Sequence, residues 1–523
     1  MVVKERRAVT ARKVMARKGL GLTTTVSLIT MMSGMGTRAI ALCPAQLGDR
    51  ITTITQQPAF ERARWGILVQ TLKPSPTAAP VTLYEQAATQ YFVPASNVKL
   101  LTTAAALDYL GPSFRVHTSV YLEPALNSES QPDTLPDLRV IGQGDPSLTS
   151  TSLQTLAQQV SDTLVGIEQR PIMGINRLIV DDHYFQGSPV NSTWEWEDVQ
   201  AGYGAPANSL IVNHNEMVVH LYPQAVGQPL RLAWANPVDG VGWQVVNRST
   251  TVRTGSNWVW VGRDLGQPTL YIDGQLQVGA NRDVSAIAIP DPTAHFGRQL
   301  RHALEQVGMT VATVEVVSDR PLSPPTQPAI ASLPSPLLPR WLQWANQDSN
   351  NLATEALLRQ LGAVAGIRPI NAASGSTLAD SIAQLRTVLE SLGVDPAGYQ
   401  LADGSGLSRR NWVSPTTLAQ TLQAMAHHPS AALYRQSLAI AATTGTLRSR
   451  WQNTPVAGNL WGKSGGLTGV ASLSGYLNPP NYDPLVFSII VNYSPQSGRV
   501  NRQAIDDIVL AIARLQPCNE NRS

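Results

Sequence analysis

Seven prolines lie within residues 321–339, and they separate two parts of the chain with different sequence patterns. Proline fixes the backbone angle φ and has no amide proton, so a segment this rich in proline cannot continue a helix and is stiff and extended. Short β-type runs precede it from about residue 116, whereas apolar residues at helical intervals follow it. We therefore predict a mostly β accessory region over residues 116–334, with one or two subdomains, that ends in a proline-rich linker.

The parts on either side of this region contain both strand-type and helix-type runs. Before it, a strand pair is predicted at residues 64–71 and 81–85, followed by a helix over 96–110. After it, the predicted helices are 352–361, 377–392, 416–427 and 502–515, and the predicted strands are 459–465, 470–477 and 484–492. Helices and strands are therefore expected to pack together in both flanking parts.

The first 41 residues differ from the rest of the chain in charge. They carry eight basic residues and one acidic residue, so the net charge of +3 for the whole chain leaves −4 for the remainder. A remainder with no cationic surplus lacks the charge that attracts phosphate backbones, which argues against nucleic acid as a partner. An uncharged run over residues 19–37 follows the basic start, and Ala39-Ile40-Ala41 then places small residues where signal peptidase cleaves.

Residues 1–41 are therefore predicted to be a signal peptide, which directs export to the periplasm or another extracytoplasmic space. The alternative is an uncleaved membrane anchor, because the uncharged run is barely long enough to span a bilayer. Only two cysteines are present, Cys43 and Cys518. An oxidising compartment would permit a disulfide between them, and two unpaired thiols are the alternative. We predict no metal and no cofactor, because the only close histidines are the adjacent His427 and His428.

Lysine is rare after residue 41. This part of the chain has 28 arginines but only three lysines, Lys73, Lys99 and Lys463. A guanidinium stays protonated at physiological pH, whereas a desolvated amine can lose its proton and act as a base. The few lysines are therefore candidates for chemistry that arginine cannot perform.

Lys99 lies three residues after Ser96 at the predicted start of a helix. This offset places both side chains on one helical face, and the N-terminal amides favour developing negative charge. Lys99 as a neutral amine could then take the proton of Ser96 and make it an acylating nucleophile. The alternative is a capping serine followed by a solvated lysine.

Two later motifs contain groups that could complete such a site. Ser349 and Asn351 precede a predicted helix, where they are either caps or a proton relay and an orienting amide. Lys463, Ser464 and Gly466 lie on a predicted strand. They suit a substrate carboxylate bound along a strand edge, or they form an ordinary hairpin with a glycine-rich turn.

The chain contains three motifs in the order S-x-x-K, S-x-N and K-S-G. This ordered set resembles the motif set of the serine acyl-transfer enzymes that recognise penicillin. More narrowly, the chain resembles the D-alanyl-D-alanine carboxypeptidase/endopeptidase family of low-molecular-mass class C penicillin-binding proteins, peptidase family S13. The resemblance extends over about residues 46–515. Its further segments are PASNVK at 94–99, GQGDP at 142–146, YGAP at 203–206 and DGSGLSR at 403–409.

The resemblance implies an α+β fold with a penicillin-binding transpeptidase/β-lactamase-like domain, in which helices flank an antiparallel sheet. This domain would be discontinuous, with residues 42–115 and 335–523 on either side of the insertion 116–334. The sheet would pair the first hairpin with the last strands, which would bring Cys43 and Cys518 into one neighbourhood.

The resemblance also implies the role of each site residue. The catalytic group would be Ser96 as nucleophile, Lys99 as base and Ser349 as relay, the substrate-binding group Asn351, Lys463 and Ser464, and the oxyanion hole the N–H groups of Ser96 and Gly466. The family has an acidic residue in the insertion near the substrate side chain, for which Asp181 or Asp182 is a candidate.

The implied activity is serine-type D-Ala-D-Ala carboxypeptidase or endopeptidase action on peptidoglycan stem peptides, with β-lactams as covalent inhibitors. One alternative is a serine β-lactamase or esterase with the same constellation. The Glu-x-x-Leu-Asn element of class A β-lactamases is absent between Ser349 and Lys463, which argues against it. The other alternative is a non-catalytic muropeptide-binding module, against which the intact motif set argues.

Overall fold

The computed structural model describes residues 42–123, 135–169, 173–318, 322–366 and 377–518. The predicted signal peptide, residues 1–41, lies outside these ranges. The α-helices within them are α1 (Pro44–Thr55), α2 (Val98–Leu110), α3 (Ser150–Glu168), α4 (Pro292–Gln306), α5 (Leu338–Asn346), α6 (Asn351–Ala365), α7 (Thr377–Ser391), α8 (Pro415–Ala426), α9 (Ala431–Ser437) and α10 (Gly498–Ile512). No helix in these ranges combines the length and apolar character needed to cross a membrane.

The strands fall into five sheets. In chain order they are β1 (Arg64–Thr71), β2 (Thr82–Gln86), β3 (His117–Glu123), β4 (Asp137–Gly142), β5 (Gly174–Asp181), β6 (Glu216–Tyr222), β7 (Arg231–Trp234), β8 (Gln244–Asn247), β9 (Thr250–Val252), β10 (Trp258–Arg263), β11 (Thr269–Gln277), β12 (Asp283–Ala288), β13 (Thr310–Val317), β14 (Ala331–Pro334), β15 (Tyr399–Gln400), β16 (Trp412–Val413), β17 (Ala439–Ile440), β18 (Leu460–Leu467), β19 (Val470–Leu477) and β20 (Leu485–Asn492).

The largest sheet is antiparallel, with the order β17-β18-β19-β20-β1-β2. Every residue of β19 and β20 is buried, and burial on both faces explains why β20 is a nearly continuous apolar run. Successive side chains of a strand point to opposite faces. Accordingly, Val486 and Ile490 pack in the core that contains α2, α6 and α8, while Phe487 and Ile489 pack in the core that contains α1 and α10. The central sheet therefore has helices on both faces.

The first and last parts of the chain meet in this sheet, as expected. Arg64 pairs with Asn492 and Thr71 with Leu485, so β1 lies along the whole length of β20. Close by, Leu42 bridges Leu515. The structure joins Cys43 to Cys518 as a disulfide, with Cα atoms 5.0 Å apart.

Within the insertion, strands make up most of the regular structure, but two helices were not predicted. The mixed sheet β13-β5-β4-β3-β14 shares its core with α3 and α4. Helix α3 buries Leu153, Leu156, Val160 and Leu164 at helical spacing. Its many Gln, Ser and Thr residues make this apolar stripe inconspicuous among turn-type residues. The remaining strands, β6 to β12, form two smaller sheets.

The prediction of a proline-rich linker was wrong for its second half. Residues Ala331–Pro334 form strand β14, which pairs with β3 at the edge of the mixed sheet. Pro339 lies in the first turn of α5. Proline is tolerated at both places, because an edge strand and a first helical turn each leave amide groups without partners. The domain boundaries at residues 116 and 334 stay predictions.

Candidate active site

Ser96 lies in a short 3-10 turn, Ala95–Asn97, immediately before helix α2. The predicted helix thus begins two residues later than expected, at Val98. The turn is attached to strand β19, because Ser472 Oγ donates to the Pro94 carbonyl at 2.7 Å and Asn97 Nδ2 donates to Ser474 Oγ at 2.9 Å. A hydroxyl held by such a turn has a fixed position relative to the sheet.

Lys99 is fully buried, and its amine contacts three oxygens. Its Nζ lies 2.7 Å from Asn351 Oδ1, 2.5 Å from the Ser405 carbonyl and 3.2 Å from Ser96 Oγ. Carbonyl oxygens only accept hydrogen bonds, whereas a hydroxyl both donates and accepts. A neutral amine therefore gives its two protons to Asn351 and Ser405 and directs its lone pair at the Ser96 hydroxyl.

Burial shifts the protonation of Lys99 towards this neutral form. Loss of solvation lowers the pKa of its amine to about 7, although the carboxylates of Asp403 and Glu355 act in the opposite direction. A group with this pKa is a competent general base near neutral pH. The arrangement suits proton abstraction from Ser96.

Lys463 forms a second buried amine on strand β18. Its Nζ donates to Ser349 Oγ at 2.9 Å and to the Ser464 carbonyl at 2.7 Å. Burial lowers the pKa of Lys463 well below its usual value, and the nearby Lys99 lowers it further. A ligand carboxylate at this position would offset that cost, because an opposite charge favours the protonated amine.

The three consecutive residues of the S-x-N motif make different contacts. Asn350 caps helix α6, and its side chain accepts from the Ala353 amide at 2.8 Å. Ser349 has a positive φ of 58° and contacts Lys463, while Asn351 contacts Lys99. The capping role considered for this Ser-Asn-Asn run therefore belongs to Asn350, and the side chains on either side of it contact the two amines instead.

Strand β18 has an open edge next to Ser96. Its partner β17 pairs only with Trp461 and Gly462, so residues 463–467 have no strand neighbour on that side within the described residues. A Cβ atom on Gly465 would lie 2.9 Å from the Ser96 amide nitrogen, which shows how closely the two backbones approach. The Ser464 hydroxyl donates to Thr446 Oγ1 at 2.8 Å at this edge. Gly466 is the next residue along the strand, and the oxyanion hole formed by the N–H groups of Ser96 and Gly466 stays a prediction.

Two buried carboxylates, Glu355 and Asp403, lie behind Lys99 and were not predicted from the sequence. Glu355 Oε1 accepts from the amides of Gly404 and Ser405 at 3.1 and 2.8 Å. Asp403 accepts from the amides of Gly406 and Ser408 at 2.7 and 2.6 Å. Together they fix the loop whose Ser405 carbonyl contacts Lys99, so we class both as positioning residues.

The structure places Asp181 and Asp182 in other interactions. Asp181 pairs with Arg139, and Asp182 accepts from the Ser209 amide at 2.8 Å inside the insertion. The insertion instead reaches the site through Tyr203. Its carbonyl accepts from Asn351 Nδ2 at 2.9 Å, and its hydroxyl donates to Asp198 at 2.9 Å. Asp198 is therefore an acidic residue of the insertion that is linked to the site through Tyr203, and only its position five residues before the YGAP segment could have indicated it.

Known proteins resemble this chain over most of its length. The family model described as "D-Ala-D-Ala carboxypeptidase 3 (S13) family" matches residues 47–513. A D-alanyl-D-alanine carboxypeptidase of Actinomadura sp. is 30% identical over 459 residues, which cover 86% of this chain and 81% of that protein. Penicillin-sensitive carboxypeptidase A of Dictyostelium discoideum is 28% identical, with 86% of this chain and 87% of that protein covered.

A solved structure supports the fold. Penicillin-binding protein 4 from Haemophilus influenzae superposes with a TM-score of 0.72 at 20% identity, covering 88% of this chain and 98% of that one. This likeness, together with the helices and the antiparallel central sheet, confirms the predicted α+β class. Because the family model and the Actinomadura relative both span most of the residues, the chain belongs to the D-Ala-D-Ala carboxypeptidase 3 (S13) family of serine peptidases, as its motifs predicted.

Proposed function

We propose that this protein hydrolyses the bond between two D-alanine residues, or a D-amino-acid cross-link, in peptidoglycan stem peptides through an acyl-enzyme on Ser96. The observation that carries the proposal is the contact pattern of Lys99. Its Nζ lies within hydrogen-bond distance of two carbonyl oxygens and 3.2 Å from the Ser96 hydroxyl, so the neutral amine can give its protons to the carbonyls and turn its lone pair to Ser96. This arrangement prepares the hydroxyl for attack on a carbonyl.

Substrate would bind as an added strand on the open edge of β18. Main-chain hydrogen bonds to a strand edge give affinity, and the terminal carboxylate of the peptide would then lie beside Lys463 and Ser464. Burial lowers the pKa of Lys463, and an incoming carboxylate would raise it again and stabilise the protonated amine. This preference for a free carboxylate is what a carboxypeptidase needs.

Acylation would proceed by attack of Ser96 Oγ on the scissile carbonyl while Lys99 accepts the hydroxyl proton. The N–H groups of Ser96 and Gly466 would stabilise the oxyanion that forms. Collapse of the tetrahedral intermediate breaks the peptide bond, and the proton that Lys99 took passes through the Ser349 hydroxyl, which Lys463 holds at 2.9 Å, to the leaving D-alanine amine. Lys99 is then neutral again. Water attacks the ester, Lys99 takes a proton from this water, and the same proton goes to Ser96 Oγ as the ester bond breaks.

The two alternative functions receive less support. The non-catalytic binding module does not need the arrangement of Lys99 between two acceptors and a hydroxyl. The β-lactamase alternative requires rapid hydrolysis of the acyl-enzyme, and the similarity to known carboxypeptidases favours the proposed activity.

Export of the protein is supported by two features. Residues 1–41 have the pattern of a leader, and the Cys43–Cys518 disulfide is of the kind that persists in an extracytoplasmic space.

Covalent labelling tests the proposal. The full mature chain is incubated with a fluorescent penicillin, digested and examined by mass spectrometry, and release of D-alanine from a stem pentapeptide is measured in parallel. We expect one adduct, on the peptide that contains Ser96, together with D-alanine release. An adduct on a different residue, or no adduct on folded protein, contradicts the mechanism. Rapid turnover of the penicillin would instead favour the β-lactamase.

Acylation should become faster as the pH rises through about 7. The reactive form of Lys99 is the neutral amine, and burial lowers its pKa to about 7. Below that pH the protonated amine predominates, so the labelling rate should fall about tenfold per pH unit. Above it the rate should reach a plateau. Stopped-flow labelling from about pH 5 to about pH 9, with circular dichroism as a check on folding, measures this profile, and a rate that falls as the pH rises through 7 would contradict it.

A further inference from the structure

A cavity lined by aromatic side chains lies next to the active site, between the insertion segment 196–203 and the sheet formed by β8, β10 and β11. Its volume is about 730 Å³. We call it the tryptophan cavity, and it is lined by Trp196, Tyr203, Arg248, Trp260 and Tyr271, among others. A volume of this size is within the range of small-ligand sites. The role that we propose for Ser96 and Lys99 does not use it.

The aromatic rings of this cavity are exposed to solvent. Trp196 is 61% exposed, Trp260 50% and Tyr203 54%. Leaving large aromatic surface in water forgoes the free energy that burial would provide, so a cluster of such rings around one cavity points to a ligand. By contrast, Trp194 and Trp341 are buried.

The two walls of the cavity are joined, so the cavity is already formed without a ligand. The Arg263 amide donates to Gln200 Oε1 at 3.3 Å, and its guanidinium donates to the Val199 carbonyl at 3.0 Å. On the sheet side, Arg248 is held by two hydrogen bonds to Asp273, at 2.9 and 2.7 Å. A preorganised cavity loses little conformational entropy when it binds.

The charges around the cavity balance. Its charged lining residues are Glu197, Arg248, Arg263 and Asp264, two acidic and two basic. This balance argues against a polyanion and favours an uncharged ligand that both stacks on rings and exchanges hydrogen bonds. A pyranose ring has these properties, because it presents an apolar C–H face for stacking and hydroxyl or acetamido groups around its rim.

Position links the cavity to the proposed substrate. Tyr203 lines the cavity, and its carbonyl accepts from Asn351, which in turn contacts Lys99. In peptidoglycan the stem peptide is attached to a saccharide strand only a few residues from the D-alanine pair, and an extended peptide advances about 3.3 Å per residue. A saccharide within about four residues of the scissile bond can therefore reach a wall of the cavity.

We propose that the tryptophan cavity binds the N-acetylhexosamine strand to which the stem peptide is attached, by stacking sugar rings on Trp196 and Trp260. The inference rests on the proposed function and extends it, since the enzyme would prefer peptide that is still linked to glycan. Arg248 and Glu197 are exposed at the rim and would supply hydrogen bonds to the hydroxyl and acetamido groups.

Binding is tested first without catalysis. The full mature chain is titrated with a peptide-free N-acetylglucosamine tetramer, and tryptophan fluorescence and calorimetric heat are recorded. We expect saturable binding that Trp260→Ala weakens about tenfold, as removal of one stacked ring predicts, and that Trp260→Tyr largely restores. The matched control is Trp412→Ala, which removes another exposed tryptophan, 43% exposed, that is not among the residues lining the cavity. Absence of saturable binding to the wild type overturns the proposal.

Catalysis provides the second measurement. For a pentapeptide linked to a disaccharide, Trp260→Ala should lower kcat/KM about tenfold by raising KM. For the free pentapeptide kcat/KM should be unchanged, and so should the penicillin labelling rate. Equal losses on both substrates, or none on either, contradict the inference. If the wild type hydrolyses neither peptide, the proposed function fails, whereas the tetramer titration still decides whether the cavity binds glycan.

Discussion

Lys99→Arg is expected to slow acylation by a β-lactam about 10³-fold, even though it keeps the positive charge. Arginine stays protonated at any pH that the protein tolerates, so it has no lone pair to offer the Ser96 hydroxyl. The wild-type amine directs this lone pair at Ser96 because Asn351 and Ser405 take its two protons. If Lys99 acted only through its positive charge, Lys99→Arg would leave the acylation rate nearly unchanged.

Lys73→Arg is the matched control for this exchange. Lys73 is one of only three lysines after residue 41, and it lies away from the three motifs, where its backbone amide donates to Gln423 at 3.0 Å. The Lys73→Arg variant should be labelled at the wild-type rate. The Ser96→Ala variant, which lacks the nucleophile, gives the background signal of the assay. Because the larger guanidinium must enter a fully buried site, thermal unfolding of each variant is measured alongside. Folded Lys99→Arg that labels at the wild-type rate would show that Lys99 is not the base.

The contact between Ser96 and Lys99 could be predicted from sequence because it is local. An offset of three residues at a helix start brings two side chains together whatever the rest of the fold does. The structure places their polar atoms 3.2 Å apart, although Ser96 itself lies in the 3-10 turn before the helix. The small number of lysines after residue 41 also indicated Lys99, and that count needs no knowledge of the fold.

The contact between Ser349 and Lys463 could not be derived in this way. These residues are 114 positions apart, and they meet only because α6 packs against α2 while β18 packs against the turn that precedes α2. Periodicity indicates which elements exist, but it does not fix how they are arranged in space. The resemblance to a family assigned both residues to one site without predicting this contact, and the structure places Lys463 Nζ 2.9 Å from Ser349 Oγ.

The positioning carboxylates were missed for a physical reason. Glu355 accepts from two backbone amides, and Asp403 accepts from two backbone amides and from the side chains of Trp194 and Asn411. Every residue other than proline carries a backbone donor, so no residue pattern reveals the backbone partners. Glu355 follows Asn351 by four positions on α6, an offset that places it one turn behind the residue that holds Lys99. That spacing was the only signal available within α6.

Gly406→Ala is expected to slow acylation about 10²-fold, although the residue carries no reactive group. Gly406 follows Ser405, whose carbonyl contacts Lys99, and a Cβ atom at this position would overlap the Ala95 carbonyl oxygen and lie 3.0 Å from the Ser96 amide nitrogen. The atoms that this Cβ would meet belong to the backbone, so rotation of a side chain cannot move them aside. Relief of the overlap must move the turn of the nucleophile or the loop behind Lys99, and displacements of about 1 Å cost this much in rate.

The matched control is Gly393→Ala, because it separates this overlap from backbone strain. Gly393 has a φ of +80° and Gly406 one of +82°, so alanine meets the same left-handed penalty at both positions, about 1–2 kcal/mol. A Cβ atom on Gly393 would have no neighbour within 4 Å. Both variants should therefore lose unfolding free energy in urea, with an additional loss of about 2 kcal/mol for Gly406→Ala. Only Gly406→Ala should label slowly with penicillin. Equal labelling rates in the two variants would mean that the close approach of this loop to Ser96 does not position the nucleophile.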